Sequence, residues 1–376
     1  MKNEIRLKEI MKLFLKLGFI GFGGPTAHIA MMREEVIVKR KWMSEQHFLD
    51  LLGVTNLIPG PNSTEMAIHI GYDKAGFKGL IIAGLCFILP AVFITGVFAV
   101  LYYNYGQLPE VQPFIYGIKP AIVAVILGAI YPLAKQSVKS FSLGFIAIAV
   151  LVASLLGINE IYLMFGSGLW AVIFYIIQNR KTNTLQSFVP LISLQITKMS
   201  YFTSTDIKLF WTFLKIGSIL YGSGYVLFAF LHTELVVTGL LTRQQVLDAI
   251  AVGQFTPGPV FSSVTFIGYQ IGGVSGAIVS TIAIFLPSFV FVALLNPLVK
   301  SLRNSKVLST FLDAVNVASV AIIIAVCFTM AKETIIDWKT IGIAIISIFI
   351  VFRFRKINST LIVLCGAVFG LLLSLF

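Results

Sequence analysis

Two tripeptides, Pro59-Gly60-Pro61 and Pro257-Gly258-Pro259, interrupt strongly apolar sequence. Proline removes a backbone donor and fixes φ, so neither tripeptide continues a regular helix. Two glycine clusters, Gly23-Gly24-Pro25 and Gly222-Ser223-Gly224, break apolar runs in the same way. A broken helix exposes the N–H groups of a new first turn, whose dipole attracts anions, and glycine admits a ligand close to the main chain. Thr26, Asn62, Ser63, Thr64, Thr256, Ser262 and Ser263 add hydroxyl and amide groups beside these breaks. That is the chemistry of a small oxyanion site. The competing reading is a kink that only lets helices pack. It suits one break better than four.

The ionisable residues near the breaks divide into candidates and alternatives. Lys16 and Lys215 precede the two glycine clusters at similar distances; converging, they would neutralise a dianion, and otherwise each snorkels to a headgroup. Glu65 follows the first Pro-Gly-Pro in apolar sequence, and a carboxylate at membrane depth is a functional candidate by default. Histidine's ordinary pKa lies near neutral pH, which makes His28 a second proton-carrying candidate; its alternative is a hydrogen-bonded structural role. Lys119 lines a pathway or an interface, while Asp50 and Asp248 read as helix-start residues.

These residues need a scaffold, and composition says which. Of 376 residues 57% are hydrophobic and 12% charged, with a mean hydropathy of +0.93; a soluble chain carries about a quarter charged residues. An all-α polytopic membrane protein follows. Apolar runs near the length of a ~30 Å hydrocarbon core occur at 79–103, 113–134, 141–156, 160–178, 275–299, 308–331, 337–352 and 358–376. Two further pairs, 10–32 with 48–70 and 209–232 with 246–269, are apolar but broken. The net charge of +12 lies in loops rather than in a basic stripe, which excludes a nucleic-acid partner and fits the positive-inside bias. Met1 to Lys16 is charged throughout, so no cleavable signal is expected. Cys86, Cys327 and Cys365 stand apart without histidine neighbours; no metal, disulfide or cofactor is expected.

The chain also repeats itself at an offset of 197 to 199 residues. "FLKLG" (Phe14 to Gly18) meets "FLKIG" (Phe213 to Gly217), "MSEQHFLD" (Met43 to Asp50) meets "LTRQQVLD" (Leu241 to Asp248), and "NLIPGP" (Asn56 to Pro61) meets "QFTPGP" (Gln254 to Pro259). "FILPAVF" (Phe87 to Phe93) meets "IFLPSFV" (Ile284 to Val290). Three segments follow: repeat 1–178, linker 179–205 and repeat 206–376. Lys74 and Lys78 precede the 79–103 run, whereas Lys300, Arg303 and Lys306 follow its counterpart. The copies therefore read as inverted repeats, with matched breaks marking a transporter's substrate site. Inversion needs one more crossing than the apolar runs supply. Either Ser187 to Ile196 provides it, or 10–32 and 48–70 are re-entrant.

The strings "FGGPTAHIAMM" (Phe22 to Met32), "NLIPGPNSTEMAIHIGY" (Asn56 to Tyr72), "YGSGYVLFAFL" (Tyr221 to Leu231) and "VGQFTPGPVFSSVTFIGY" (Val252 to Tyr269) resemble the chromate ion transporter family in its long, two-domain form. The resemblance covers nearly the whole chain. It implies a multi-pass protein of the bacterial or archaeal inner membrane that exports chromate, giving resistance, with proton exchange. By position it marks Gly23, Gly24, Pro25, His28, Pro59, Gly60, Pro61, Asn62, Glu65, Gly222, Gly224, Pro257, Gly258 and Pro259. Sulfate is also a tetrahedral dianion, so a sulfate or other oxyanion transporter, including uptake by proton symport, is the alternative. An intramembrane enzyme is disfavoured, since Glu65 has no acid partner and no Rossmann or flavin fingerprint occurs. The expected partners are the oxyanion, protons and the bilayer, with a homodimer left open and the N-terminus cytoplasmic.

Overall fold

The computed structural model describes residues 2–178, 205–221, 224–295, 305–354 and 357–375. Gly222, Ser223, most of the 179–205 linker with Ser187 to Ile196, and Lys300 and Arg303 lie outside the described residues. The helices are α1 (Lys2–Ile20), α2 (Gly24–Arg33), α3 (Glu45–Thr55), α4 (Asn62–Tyr105), α5 (Gln112–Ser137), α6 (Phe141–Leu155) and α7 (Glu160–Gln178). The second half follows with α8 (Thr205–Ile219), α9 (Leu227–Leu231), α10 (Arg243–Phe255), α11 (Ser263–Leu295), α12 (Lys306–Thr334), α13 (Trp338–Arg353) and α14 (Ser359–Ser374). The halves correspond element by element. Even the π-helical extension of α2 (Glu34–Lys39) has its counterpart after α9 (His232–Val236). Among the described residues, five helices are long and apolar enough to cross a membrane, while α6, α14 and the helical stretch Gly224–Val236 are shorter apolar helices. The protein is an all-α polytopic membrane protein.

The broken apolar pairs are re-entrant hairpins. α1 runs inward to a break at 21–23, and α2 turns back along it. Met32 and Val36 therefore bury against Ile10, Leu13 and Phe14. α3 and the first part of α4 repeat the manoeuvre around 56–61, adding Phe48, Leu51, Met66 and Ile70 to the same cluster. α4 is itself two helices joined at Ala75 and Gly76 (φ 61°, ψ −149°), a backbone conformation open essentially to glycine. The two parts close as a tight pair because Gly71 and Gly79 present no side chain where they meet. α11 does the same at Gly272 and Gly273, with Gly268 against Gly276 and Thr265 hydrogen-bonded to Thr281 at 2.7 Å.

The contacts between halves give their relative sense. Near the start of α4, Ser288 from the far end of α11 donates to Glu65; near the end of α4, Thr95 donates to Ser262 at the start of α11. Along the long second parts of the same helices, Gly84 meets Phe289 and Leu80 clusters with Val292, so those two parts are antiparallel. Gly117 and Ala121 of α5 meet Gly370 and Gly366 of α14, and Gly168 of α7 meets Phe311 and Val315 of α12, the reciprocal pair. A pseudo-twofold axis perpendicular to the helices relates the copies, as inversion across a membrane requires. Gln178 and Thr205 consequently end on opposite faces. Below, the first face is the one where α1 begins, and the second is the one where α8 begins.

Candidate functional site

The stretch 77–105 of α4 is a helix about 43 Å long, with its midpoint at Ala91. Two of the breaks meet there, and the other two meet beside Ser288 of α11. A methyl group built on Gly258 would lie 2.8 Å from the Ala91 Cβ and 3.4 Å from the Gly18 carbonyl oxygen. Gly258 donates its N–H to Gly21 O at 2.7 Å, and Gly60 donates its N–H to Leu220 O at 2.7 Å. Gly60 corresponds to Gly258, and Gly21 to Leu220. Each Pro-Gly-Pro turn of one half is therefore tied to the glycine-cluster break of the other, by the same bond on both sides of the axis.

Local sequence explains why these turns hold. Gly23, Gly24, Gly60 and Gly258 have φ of 103°, 80°, 138° and 88°, values that L side chains rarely adopt. The flanking prolines supply no N–H and fix their own φ. Six helix starts elsewhere carry side-chain caps: Ser44, Ser140, Thr242, Ser305, Asp337 and Asn358 each accept from a first-turn N–H, whereas α5, after Val111, has none. The starts at the breaks, after Gly23, Pro61 and Pro259, have no side-chain cap. Thr64 N and Ser262 N turn back to Pro61 O and Pro259 O, and the donors before them are left to another acceptor.

Polar side chains gather round this junction. Among the described residues, His28 Nδ1, Thr64 Oγ1, Glu65 Oε2, Gln254 Nε2 and Ser263 Oγ are buried without a hydrogen-bond partner in the protein, a concentration that natural cores avoid unless the groups serve a ligand or water. Glu65 is fully buried beside Gly60, with only Ser288 Oγ donating to its Oε1 at 3.4 Å. His28 Nε2–H donates to Gly21 O at 2.8 Å, and its ring stands edge-on to Phe87, so it braces the first break. Pro59, Gly60, Pro61, Ser63, Thr256, Pro257, Gly258, Pro259 and Ser262 are buried. Asn62 is half-buried and bonds Asn56 at 2.8 Å. Thr256 back-bonds to Val252 O at 2.6 Å. Gly24 and Pro25 are half-buried, Gly23 and Thr26 exposed, and Gly224 buried. Among the described residues, those of the second half's turn and Gly224 are buried, while the first break is open at Gly23 and Thr26.

The two lysines do not converge on it. Lys16 pairs with Glu35 of its own hairpin at 2.7 Å, and Lys215 with Glu234 at 2.5 Å. They are equivalent bridges on opposite faces. Lys16, with help from Lys39, holds the Glu35 carboxyl below its ordinary range. A cleft of about 230 Å³ lined by Arg6, Trp42, Met43, Ile70, Asp73 and Lys74 lies at the first face, away from the breaks. The sequence reading missed Tyr225, whose hydroxyl sits 3.1 Å from a methyl built on Gly24, and Ser288, which contacts Glu65. Gln254 carried a signal, since it stands where the other copy has Asn56.

Comparison with known proteins bears on this junction. The family described as "Chromate transporter" matches residues 8–172 and again 207–371. A protein of Synechococcus elongatus named "Probable chromate transport protein" is 31% identical, covering 97% of this chain and 95% of its own length. The "Chromate transport protein" of Cupriavidus metallidurans is 30% identical over 97% of this chain and 92% of its own. An uncharacterized transporter of Methanocaldococcus jannaschii is 28% identical over 99% of this chain and 96% of its own. No solved structure matches the chain.

Proposed function

The chain belongs to the chromate transporter family, secondary transporters of small oxyanions, and from that premise we propose that this multi-pass inner-membrane protein exports chromate and confers resistance to it. The observation that carries the reading is the pair of equivalent bonds, Gly60 to Leu220 and Gly258 to Gly21, that joins the four breaks two by two, beside Ser288 of α11 and Ala91 of α4. Uncapped helix starts supply N–H donors, and the nearby hydroxyl and amide groups complete a cage suited to a tetrahedral dianion. Such a cage acts without a lysine in it. Irregular backbone at this depth is tolerated where it is buried or lines a cavity.

Loop charge supports a cytoplasmic first face. Arg33, Lys39, Arg40, Lys41, Lys74, Lys78, Lys135, Lys139 and Arg353 cluster there, against Lys208, Arg243, Lys332 and Lys339 on the second. With the interior negative, moving one charge outward is worth roughly 2.3 kcal/mol per 100 mV. A dianion gains about twice that, a gradient on the order of a thousandfold. Export therefore needs no further energy source. Glu65, buried at the junction with one oxygen unpartnered, is proposed to couple a proton to the anion; its counterpart Ser263 makes that role one-sided. The second reading is sulfate or another oxyanion, including uptake by symport, because a backbone cage reads shape and charge more than the central atom. Radiolabelled chromate and sulfate flux in proteoliposomes, under imposed voltage and pH gradients, decides between them. Voltage-driven chromate movement is expected; sulfate movement that follows the proton gradient would replace this reading with the second.

A further inference from the structure

One buried ion pair in the membrane lies outside the junction. Lys119 of α5 approaches Asp248 of α10 at 2.9 Å, and the Tyr102 hydroxyl of α4 donates to the same carboxylate at 2.5 Å. The side chains of Lys119 and Asp248 are 11% and 5% exposed. α10 runs inward from the second face to the break at Thr256, and the pair sits partway along it, about 8–11 Å in from the helix starts. The pair therefore lies between the junction and the second face.

The pair is one-sided. At the equivalent place near the first face, Asp50 is present, but Asn316 stands where Lys119 would be, and Asp50 takes a hydrogen bond from Gln46 at 3.0 Å. Burying an ion pair rarely improves on apolar packing, so stability alone gives little reason to keep one. An ionisable residue at this depth is better explained by transport.

We propose that Lys119 and Asp248 form a counter-ion gate on the exit side of the junction, an inference that rests on the oxyanion reading above. With the gate shut, Asp248 holds the Lys119 ammonium. A departing dianion takes the place of Asp248 on that ammonium. Asp248, left without its cation, takes a proton from the second face, and the ion pair re-forms once the anion has gone and the proton has returned. The charged and titratable surroundings are sparse. Tyr102 faces Asp248 from α4 and Lys119 from α5. α11 and α14 contribute no Asp, Glu, Lys, Arg or His, and Tyr269 of α11 packs on Tyr103. On the second-face side, Arg243 of α10 itself is engaged by Glu333 and His232, and Glu234 by Lys215.

The test is chromate flux through the full chain in oriented proteoliposomes at fixed voltage, with only the second-face pH varied. Wild-type flux is expected to fall at least tenfold as that pH rises. Removing one charge would strand the other, so the informative variant is the neutral double Lys119→Met/Asp248→Asn, made in a Glu65→Gln background and compared with that background so that only the gate responds to pH. It is expected to lose the response to second-face pH and, because Lys119 no longer receives the anion, to carry a lowered voltage-driven flux. Tyr102→Phe keeps both charges but removes a donor to the carboxylate, and is expected to move the pH midpoint upward. A double variant with the pH response of its background, or an unmoved midpoint in Tyr102→Phe, overturns the gate while leaving the oxyanion reading intact. A wild-type protein that carries neither chromate nor sulfate overturns both.

Discussion

Replacing Gly258 with valine tests the junction most directly. The residue has φ 88°, donates to Gly21 O at 2.7 Å, and lies between two prolines that cannot adjust their own φ. A left-handed conformation costs a β-carbon-bearing residue about 1–2 kcal/mol. The added Cβ would sit 2.8 Å from the Ala91 Cβ and 3.7 Å from Phe87 O, both on a packed helix, and such overpacking costs about 1–3 kcal/mol more. Together these disfavour the interlocked junction by about 2–5 kcal/mol, from roughly thirtyfold to several thousandfold in population. The strain is confined to one turn, so insertion is expected to survive. The assay is chromate efflux at matched membrane abundance, beside Gly96→Ala as a control, because a methyl on Gly96 meets nothing within 4 Å. Efflux is expected to fall at least thirtyfold in Gly258→Val and stay near wild type in the control. Efflux within threefold of wild type in Gly258→Val would refute the reasoning.

Glu65→Gln keeps the side chain's shape and the Ser288 contact; voltage-driven flux should persist while uphill movement driven by a pH gradient at zero voltage is lost, and retained uphill movement removes Glu65 from coupling. Lys16→Met should leave the apparent chromate affinity within twofold, since Lys16 is engaged by Glu35 at 2.7 Å; a tenfold loss would return this lysine to the anion site. Asp337 caps α13 by accepting from Thr340 N at 2.8 Å, and that bond with the Tyr116 hydroxyl holds its carboxyl below the ordinary range. A depressed carboxyl stabilises above its unfolded pKa, and the gain is lost as pH falls through the lower folded value. Asp337→Ala should therefore cost about 1 kcal/mol at neutral pH. In thermal unfolding the gap to wild type should close below about pH 4, and a constant gap would count against the cap.

What could be read along the chain was whatever local punctuation and self-similarity encode. Proline and glycine announce broken helices wherever they fall, and a repeated string such as "NLIPGP" and "QFTPGP" shows that the break is kept in both halves. The direction a broken helix takes afterwards is a tertiary fact. The pairs 10–32 and 48–70 read equally well as crossings, and only the burial of Met32 and Val36 against Ile10 and Phe14 makes the first of them a hairpin. The lysines show a signal available but unused. Lys16 and Glu35 are nineteen residues apart, and so are Lys215 and Glu234. A charge pair at the same spacing in both copies points to a bridge within each hairpin, not to two cations meeting at the centre. Lys119 and Asp248 offer no such handle, being 129 residues apart and absent as a pair from the other copy. Repetition makes legible what the two halves share. Single-copy residues such as Glu65, matched by Ser263, and Lys119, matched by Asn316, break that symmetry, and chemistry specific to one face has to reside at such positions.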